Sequence, residues 1–494
     1  MNYKIVLSAL GRILLLIGAA MMAPLVLSYR EIEMDTAAFT ISAVLTIVCG
    51  AGLSHFFKNP RGSMGIKEGL LLVTLTWFIA SFFGALPFAL SGYYPEFGDA
   101  LLEASSGFTA TGITVLPSVE ILPASILLWR SMTQWLGGMG IVVLFVAILS
   151  GIGVSGMQLF KAEFGQVNEK IRPRISDNAK RLWYTYVVLT VFNTLALKIC
   201  GISWFDAVNH AMTTIATGGY STQDASFGGL ENPAAEWVTI FFMFVGGMNF
   251  ILLYRIFARR SLKLALRSLE FRLYVSLISI ATLLSFVYLA AYHVKNAGLA
   301  FRYSLFSVVS VITTTGYTND NFIHWPFFTQ YILLILMVIG GCSGSTSGGM
   351  KVERILILLK QTQNELQRII HPRVVTSIKV SGTALPTRVA TNAGVFFFLY
   401  VSFLLIGTMI NSFFDVSHME ALSMSATCIG NGGAFFSEPG GHICFATLPS
   451  PLKYYDSVLM IIGRLEIYTF LATILPISHK HGERIDKVTT HVNI

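Results

Sequence analysis

The chain has 494 residues, 54% of them hydrophobic and only 12% charged, and its mean hydropathy is +0.66. That balance excludes a soluble domain of this size and points to a polytopic membrane protein. The net charge of +8 would suit nucleic acid in a soluble protein, but here Lys and Arg fall in short blocks between apolar runs. This is the pattern of cytoplasmic loops, so no nucleic-acid role is expected.

Along the chain, the first apolar run covers residues 5–27 and contains Arg12. A basic start before an apolar stretch also describes a secretory signal, but no small-x-small cleavage site follows. The run approaches the roughly 20 residues of a spanning helix, so a retained helix is expected. Glu31, Glu33 and Asp35 precede a second run, 39–57, which ends in Lys58, Arg61 and Lys67. Residues 1–67 therefore read as two leading transmembrane helices with both ends on the inside.

After them a pattern repeats four times. Unit one (68–160) has apolar runs at 70–90 and 126–149 around a short amphipathic segment, 100–109, and the loop Phe108-Thr-Ala-Thr-Gly112-Ile-Thr. Unit two (161–262) has runs at 182–199 and 237–257 around 205–216 and the loop Ile215-Ala-Thr-Gly218-Gly-Tyr-Ser. Unit three (263–375) has runs at 273–289 and 328–339 around 303–314 and Thr313-Thr-Thr-Gly316-Tyr-Thr. Unit four (376–494) has runs at 393–410 and 458–475 around 419–430 and Ile429-Gly-Asn-Gly432-Gly-Ala. Each unit reads helix, half-helix, loop, helix. The expected fold is all-α, with two leading helices and four repeats around one pore.

Each loop sets Thr or Asn directly before a Gly. A backbone whose carbonyls must converge on one ion needs strained dihedrals, which Gly accepts. Twelve residues before Gly218 and Gly432 stand Asp206 and Glu420, where a half-helix starts and its dipole favours an acid. Glu103 is only near that place in unit one, and Ser304 occupies it in unit three.

Basic residues cluster between units and in the tail: Lys161 to Arg181, Arg255 to Arg272, Lys351 to Arg388, and His479 to Lys487. All four blocks lie on one side, which the positive-inside rule makes cytoplasmic, so the half-helices and Gly loops enter from the outer face. Non-helical backbone at that depth survives only when buried in protein or lining a watery cavity.

Two further features bear on flow. Gly340-Gly-Cys-Ser-Gly-Ser-Thr-Ser-Gly-Gly349 interrupts the last apolar run of unit three; Gly is costly in a helix and Ser competes for its backbone bonds. Apolar flanks place it at the inner part of the membrane beneath the loops. It is no Walker loop, because Met350 stands where Lys is required. Arg464, inside the last apolar run, is expected to face a cavity, and Glu466 is a poor partner for it on the same helix. Gly151-Ile-Gly153-Val-Ser-Gly156 matches a dinucleotide fingerprint but follows a membrane helix rather than a strand. The five cysteines are scattered, with no metal spacing or disulfide framework. His210 beside Asp206 has no nucleophile near it, so no enzyme is expected.

On these loops the chain resembles the Trk/Ktr/HKT superfamily of potassium transporters, most closely the bacterial TrkH/TrkG type, over essentially its whole length. The resemblance implies potassium uptake across the bacterial inner membrane, channel-like and driven by the membrane potential, with both termini cytoplasmic; a proton- or sodium-coupled symporter is the alternative. It implies that carbonyls of Ala110, Thr111, Gly112, Ala216, Thr217, Gly218, Thr314, Thr315, Gly316, Gly430, Asn431 and Gly432 replace the water shell of the ion. Gly at all four key positions goes with potassium preference, while the Asn in unit four leaves room for relaxed selectivity. Potassium at these loops is the substrate and the only metal expected, with no cofactor in the chain. Gly340, Gly341, Gly344, Ser345, Thr346, Ser347, Gly348 and Gly349 match an intramembrane gating loop, and Arg464 an electrostatic barrier below the filter. The resemblance further implies a homodimer with one pore per protomer and a TrkA-type cytoplasmic nucleotide-binding regulatory subunit; the basic loops from Lys161 to Arg181 and from Lys351 to Arg388 are its expected docking surface.

Overall fold

The computed structural model describes residues 1–31, 35–58, 64–140, 175–292, 296–320, 325–374, 378–380, 383–433 and 445–474. The fingerprint-like 151–156, most of the basic block from Lys161, the tail block and Cys444 lie outside the described residues. The described chain is helical, apart from one antiparallel ladder of two residues per strand, Lys379–Val380 against Thr383–Ala384.

Among the described residues six helical stretches are long and apolar enough to cross a membrane: Tyr3–Glu31, Thr36–Phe56, Ile66–Ser91, Ala179–Ile199, Leu269–Ala291 and Arg388–Phe413. Two bent pairs raise the number to eight if each is one span. Their apolar residues do not all turn inward. Phe398, Leu405, Met409 and Phe413 are exposed along the last of the six, as lipid-facing helices require when no second apolar layer covers them. The protein is a multi-pass membrane protein. Small residues set the first helix crossing: a Cβ on Gly11 would lie 2.7 Å from the Gly50 carbonyl oxygen, and one on Gly50 would lie 2.8 Å from that of Gly11. Such close backbone approach is how helices associate where lipid removes the hydrophobic drive.

Four short helices sit inside this frame: Phe97–Phe108, Trp204–Ile215, Ala297–Ile312 and His418–Gly430. The 12 residues of the first rise only about 18 Å against a hydrocarbon core of about 30 Å, so it ends inside the membrane. Two of their starts are capped by side chains: the Ser203 hydroxyl accepts from the Asp206 amide at 3.0 Å, and Asn296 accepts from the Gly298 amide at 2.9 Å.

Two apolar runs that read as single helices are broken. Pro233–Gly246 turns by 102° into Phe250–Ala258, where Gly247 and Met248 leave the helix and Asn249 starts a new one by accepting from the Leu252 amide at 3.0 Å. Ser450–Arg464 turns by 109° into Tyr468–Ile474, through Glu466 at φ 56° and Ile467 at φ 47°. Arg464 is thus the last residue of a helix, not a mid-helix charge. The third interruption is as expected from its composition: Phe327–Ile339 ends at Gly340, and Val352–Ile370 begins after the Gly/Ser stretch.

Candidate functional site

The four short helices end in one way. Ala110, Thr217, Thr314 and Asn431 are left-handed, with φ of 55°, 52°, 56° and 50°. The next residue in each case donates its amide five residues back: Thr111 to Ser106 at 2.8 Å, Gly218 to Thr213 at 2.9 Å, Thr315 to Ser310 at 2.8 Å and Gly432 to Thr427 at 3.0 Å. This is the 6→1 closure of a helix C-terminus, and it satisfies carbonyls that the helix leaves open. A third residue, always Gly, is again at positive φ: Gly112 at 88°, Gly219 at 79°, Gly316 at 82° and Gly433 at 63°.

The equivalent triplets are therefore 110–112, 217–219, 314–316 and 431–433. In the second and fourth loops they run one residue later than the expected 216–218 and 430–432. Ala216 and Gly430 belong to the helix ends instead. The cause is that each of these loops carries a Gly-Gly pair, and the Thr-Gly or Asn-Gly dipeptide anchored the wrong member. The aromatic after the second Gly carried the signal, since Tyr220 follows Gly219 as Tyr317 follows Gly316. Thirteen residues before the four glycines stand Asp99, Asp206, Tyr303 and Glu420. The acidic helix start thus recurs in three loops, with Asp99 rather than Glu103 in the first.

These triplets form a closed ring. A Cβ on Gly112 would lie 2.2 Å from the Gly218 carbonyl oxygen, one on Gly219 1.9 Å from that of Thr315, one on Gly316 3.1 Å from that of Gly432, and one on Gly433 2.6 Å from that of Thr111. In cyclic order, the middle carbonyl of each loop covers the Cα of the glycine in the loop before it. Only a residue without a side chain and able to hold positive φ fits there. Thr111, Gly218, Thr315 and Gly432 thereby bring four carbonyl oxygens into one layer.

The ring is tied from behind by buried polar groups. Tyr220 Oη donates to the carbonyls of Glu103 and Ile113 at 2.8 and 3.1 Å, and Tyr317 Oη stands 2.5 Å from Thr213 Oγ1, so each tyrosine straps its loop to the preceding one. Asn431 Nδ2 donates to Thr111 Oγ1 at 2.9 Å and to the Met460 carbonyl at 3.0 Å. Arg130 Nε meets Glu103 Oε1 at 2.8 Å with both side chains buried, and its guanidinium lies 4.1 Å from the Tyr220 ring centroid. Gln134 brackets the second loop, donating from Nε2 to the Gly218 carbonyl at 2.7 Å and accepting from the Tyr220 amide at 3.0 Å.

The Gly/Ser stretch passes directly beneath. Thr346 Oγ1 donates to the Ile215 and Gly246 carbonyls at 3.0 and 3.2 Å, the Gly348 amide to Thr314 Oγ1 at 2.7 Å, and the Gly349 amide to the Gly430 carbonyl at 2.8 Å. It therefore touches the ends of three of the four short helices. Its own shape is held by Gly340 at φ 75°, by the Gly341 carbonyl accepting from the Val352 amide at 2.9 Å, by the Gly344 carbonyl accepting from the Phe250 amide at 3.1 Å, and by Ser345 Oγ 3.0 Å from Ser347 Oγ. Arg464 joins it to the first unit, donating to the Thr346 carbonyl at 2.9 Å and to those of Gly137 and Gly138 at 2.8 and 2.5 Å. Glu466 turns away to Arg354, at 2.5 Å.

Among the described residues no group of three or more His, Cys, Asp or Glu is placed to hold a metal ion. His210 sits with Nδ1 2.9 Å from the Asp206 carbonyl and Nε2 3.0 Å from Ser221 Oγ, tying a helix to its loop.

The profile of the TrkH family, described as a cation transport protein, matches residues 35–480. The Trk system potassium uptake protein TrkH of Salmonella typhimurium is 36% identical over 480 residues, covering 96% of this chain and 99% of its own. The Trk system potassium uptake protein TrkG of Escherichia coli is 31% identical over 475 residues, covering 94% and 96%. The crystal structure of the potassium transporter TrkH from Vibrio parahaemolyticus superposes with a TM-score of 0.86 at 33% identity, over 96% of this chain and 99% of that one. This chain belongs to the TrkH family of cation transporters and is not an enzyme.

Proposed function

We propose that this protein takes up potassium, the activity for which its relatives are named, and that the four-loop ring is the route. The observation that carries the reading is the cyclic packing of four carbonyls on four glycines. Such a layer replaces the water shell of a dehydrated cation, with the spacing of the oxygens fixed by neighbour contacts. The short helices point their C-terminal ends at the space beneath, where their partial negative charge favours a cation. Entry is driven by the membrane potential, worth about 2.3 kcal/mol per charge per 100 mV.

The Gly/Ser stretch acts as the gate. Its amides and the Thr346 hydroxyl occupy the helix-end carbonyls of Ile215 and Gly430, the same groups a cation in the cavity would meet. Arg464 is both latch and barrier: it holds the stretch through the Thr346 carbonyl and sets a positive charge below the ring. The protein sits in the bacterial inner membrane with cytoplasmic termini, as a homodimer, and a TrkA-type nucleotide-binding ring works on the gate through the basic cytoplasmic surfaces. The division into two leading helices and four pore units belongs to this same reading.

The test is rubidium tracer uptake into proteoliposomes under a potassium diffusion potential, without proton or sodium gradients. Uptake that follows the potential supports the channel-like reading. Uptake that appears only with a proton or sodium gradient replaces it with the coupled carrier.

A further inference from the structure

The four loops are not restrained equally. In the first and third the middle residue is Thr, and its hydroxyl is bonded within the loop: Thr111 Oγ1 lies 2.7 Å from Thr109 Oγ1, and Thr315 Oγ1 2.8 Å from Thr313 Oγ1. In the second and fourth the middle residue is Gly, with no side chain to bond. The fourth is backed by an apolar group: a Cβ on Gly432 would meet Met337 Cγ at 2.6 Å. The second is backed by a polar one. A Cβ on Gly218 would meet the Gln134 amide, with Cδ at 2.4 Å and Oε1 at 2.5 Å.

Gln134 fills the place of the missing side chain and does more than fill it. It comes from Ala124–Gly138, the helix that follows the first loop, so it crosses the seam between the first and second loops. Its amide donates to the carbonyl before Gly219 and accepts from the amide after it. The residue is fully buried, so no water competes for either bond. The Gly218 carbonyl it holds is the member of the oxygen layer that also covers Gly112.

We infer that Gln134 is a specificity-determining positioning residue: it sets the place of the Gly218 carbonyl and so the potassium-over-sodium preference of the layer. The inference rests on the filter reading above. Preference for one cation over a smaller one depends on where the oxygens stand and how strongly they are held. Releasing one of four lets the layer close on sodium.

The experiment is the potassium/sodium permeability ratio of the purified full chain in planar bilayers, with thermal stability measured in parallel, for wild type, Gln134→Leu, Gln134→Glu and Gly112→Ser. Gln134→Leu removes both bonds at similar volume. Gln134→Glu keeps the acceptor for Tyr220 and sets a second acceptor against the Gly218 carbonyl, so it separates loss of the tether from loss of packing and serves if the Leu variant does not fold. The expected result is a fall in the ratio of about tenfold (about 1.4 kcal/mol) in both. If Gly112→Ser lowers the ratio while both Gln134 variants keep it, with or without a loss of stability, Gln134 is merely structural and the inference is overturned. If the ratio is the same in all four proteins, the filter reading itself fails.

Discussion

The Thr315 carbonyl oxygen stands 1.9 Å from the point a Cβ on Gly219 would occupy. Gly219 is also at φ 79°, so a side chain there is refused twice, by neighbour and by backbone. The same holds at Gly433, where the Thr111 carbonyl oxygen is the obstacle at 2.6 Å. Gly432 faces only the flexible Met337 side chain. Gly433→Ala is therefore expected to abolish potassium-dependent growth in an uptake-deficient host, with the left-handed backbone alone costing about 1–2 kcal/mol, and Gly432→Ala to retain most of it. The reverse order would return the register to 430–432.

Asn431 ties the fourth loop to the first through Thr111 and to its own following helix through the Met460 carbonyl. Asn431→Ala leaves these buried groups short of a donor, at a cost of about 1–3 kcal/mol. A lower melting temperature together with raised sodium permeability is the expected pair of changes. Lower stability with unchanged selectivity would make Asn431 a helix tie only.

Arg464 makes three bonds to backbone carbonyls across two units. Arg464→Gln removes the charge and the geometry of the fork, which on the proposed gating role loosens the Gly/Ser stretch and lowers the barrier. Tracer uptake by the isolated protein, without a regulatory partner, is expected to rise several-fold. Unchanged or reduced uptake would show that Arg464 supports the open pathway instead.

Arg130 and Glu103 form a buried ion pair beside the ring, and Glu103 also accepts from Thr114 Oγ1 at 3.0 Å and the Val115 amide at 3.1 Å. Removing one partner leaves an uncompensated buried charge, costing about 3–5 kcal/mol. Glu103→Ala is expected to lower the melting temperature far more than Glu365→Ala, which breaks the exposed Arg368 pair, worth about 0–1 kcal/mol.

Asp224 holds the chain after the second Gly loop to that after the first. Burial pushes its carboxyl up, but bonds from the Ser118 hydroxyl and the amides of Val119 and Glu120 outweigh it and leave the group below the usual carboxylate range. With the folded value depressed, the strap contributes fully above the unfolded value of about 3.9 and is lost as pH falls through the folded one. The stability difference between wild type and Asp224→Asn, measured in detergent, should be constant near neutrality and vanish below that range. A difference that persists in acid would mean the carboxylate charge is not what holds the strap.

How much of this was legible in the sequence follows the range of the interactions. Spans and short helices are local hydropathy, and the Gly/Ser stretch announces its own break. The bends at Gly247 and Leu465 are not local: Asn249 Nδ2 donates to the Ser343 carbonyl at 2.6 Å, and Glu466 pairs with Arg354, so partners far along the chain decide where the helix yields. The register of the second and fourth loops was hidden by Gly-Gly, since either residue meets the dihedral demand and only the neighbouring carbonyl distinguishes them. Arg130 could have been found by the rule that singled out Arg464, because it too is a charge inside an apolar run. Gln134 carried no such mark. Its meaning lies in two bonds to a loop more than eighty residues away.

The most direct test of the central claim is the reversal potential of the purified protein in planar bilayers under opposed potassium and sodium gradients, with and without Gly112→Ser. That substitution drives a Cβ to 2.2 Å from the Gly218 carbonyl oxygen and must displace the oxygen layer. The account predicts a wild-type potential that follows potassium and a mutant potential shifted toward sodium. A potential that follows potassium equally in both would place selectivity outside the ring and contradict the account.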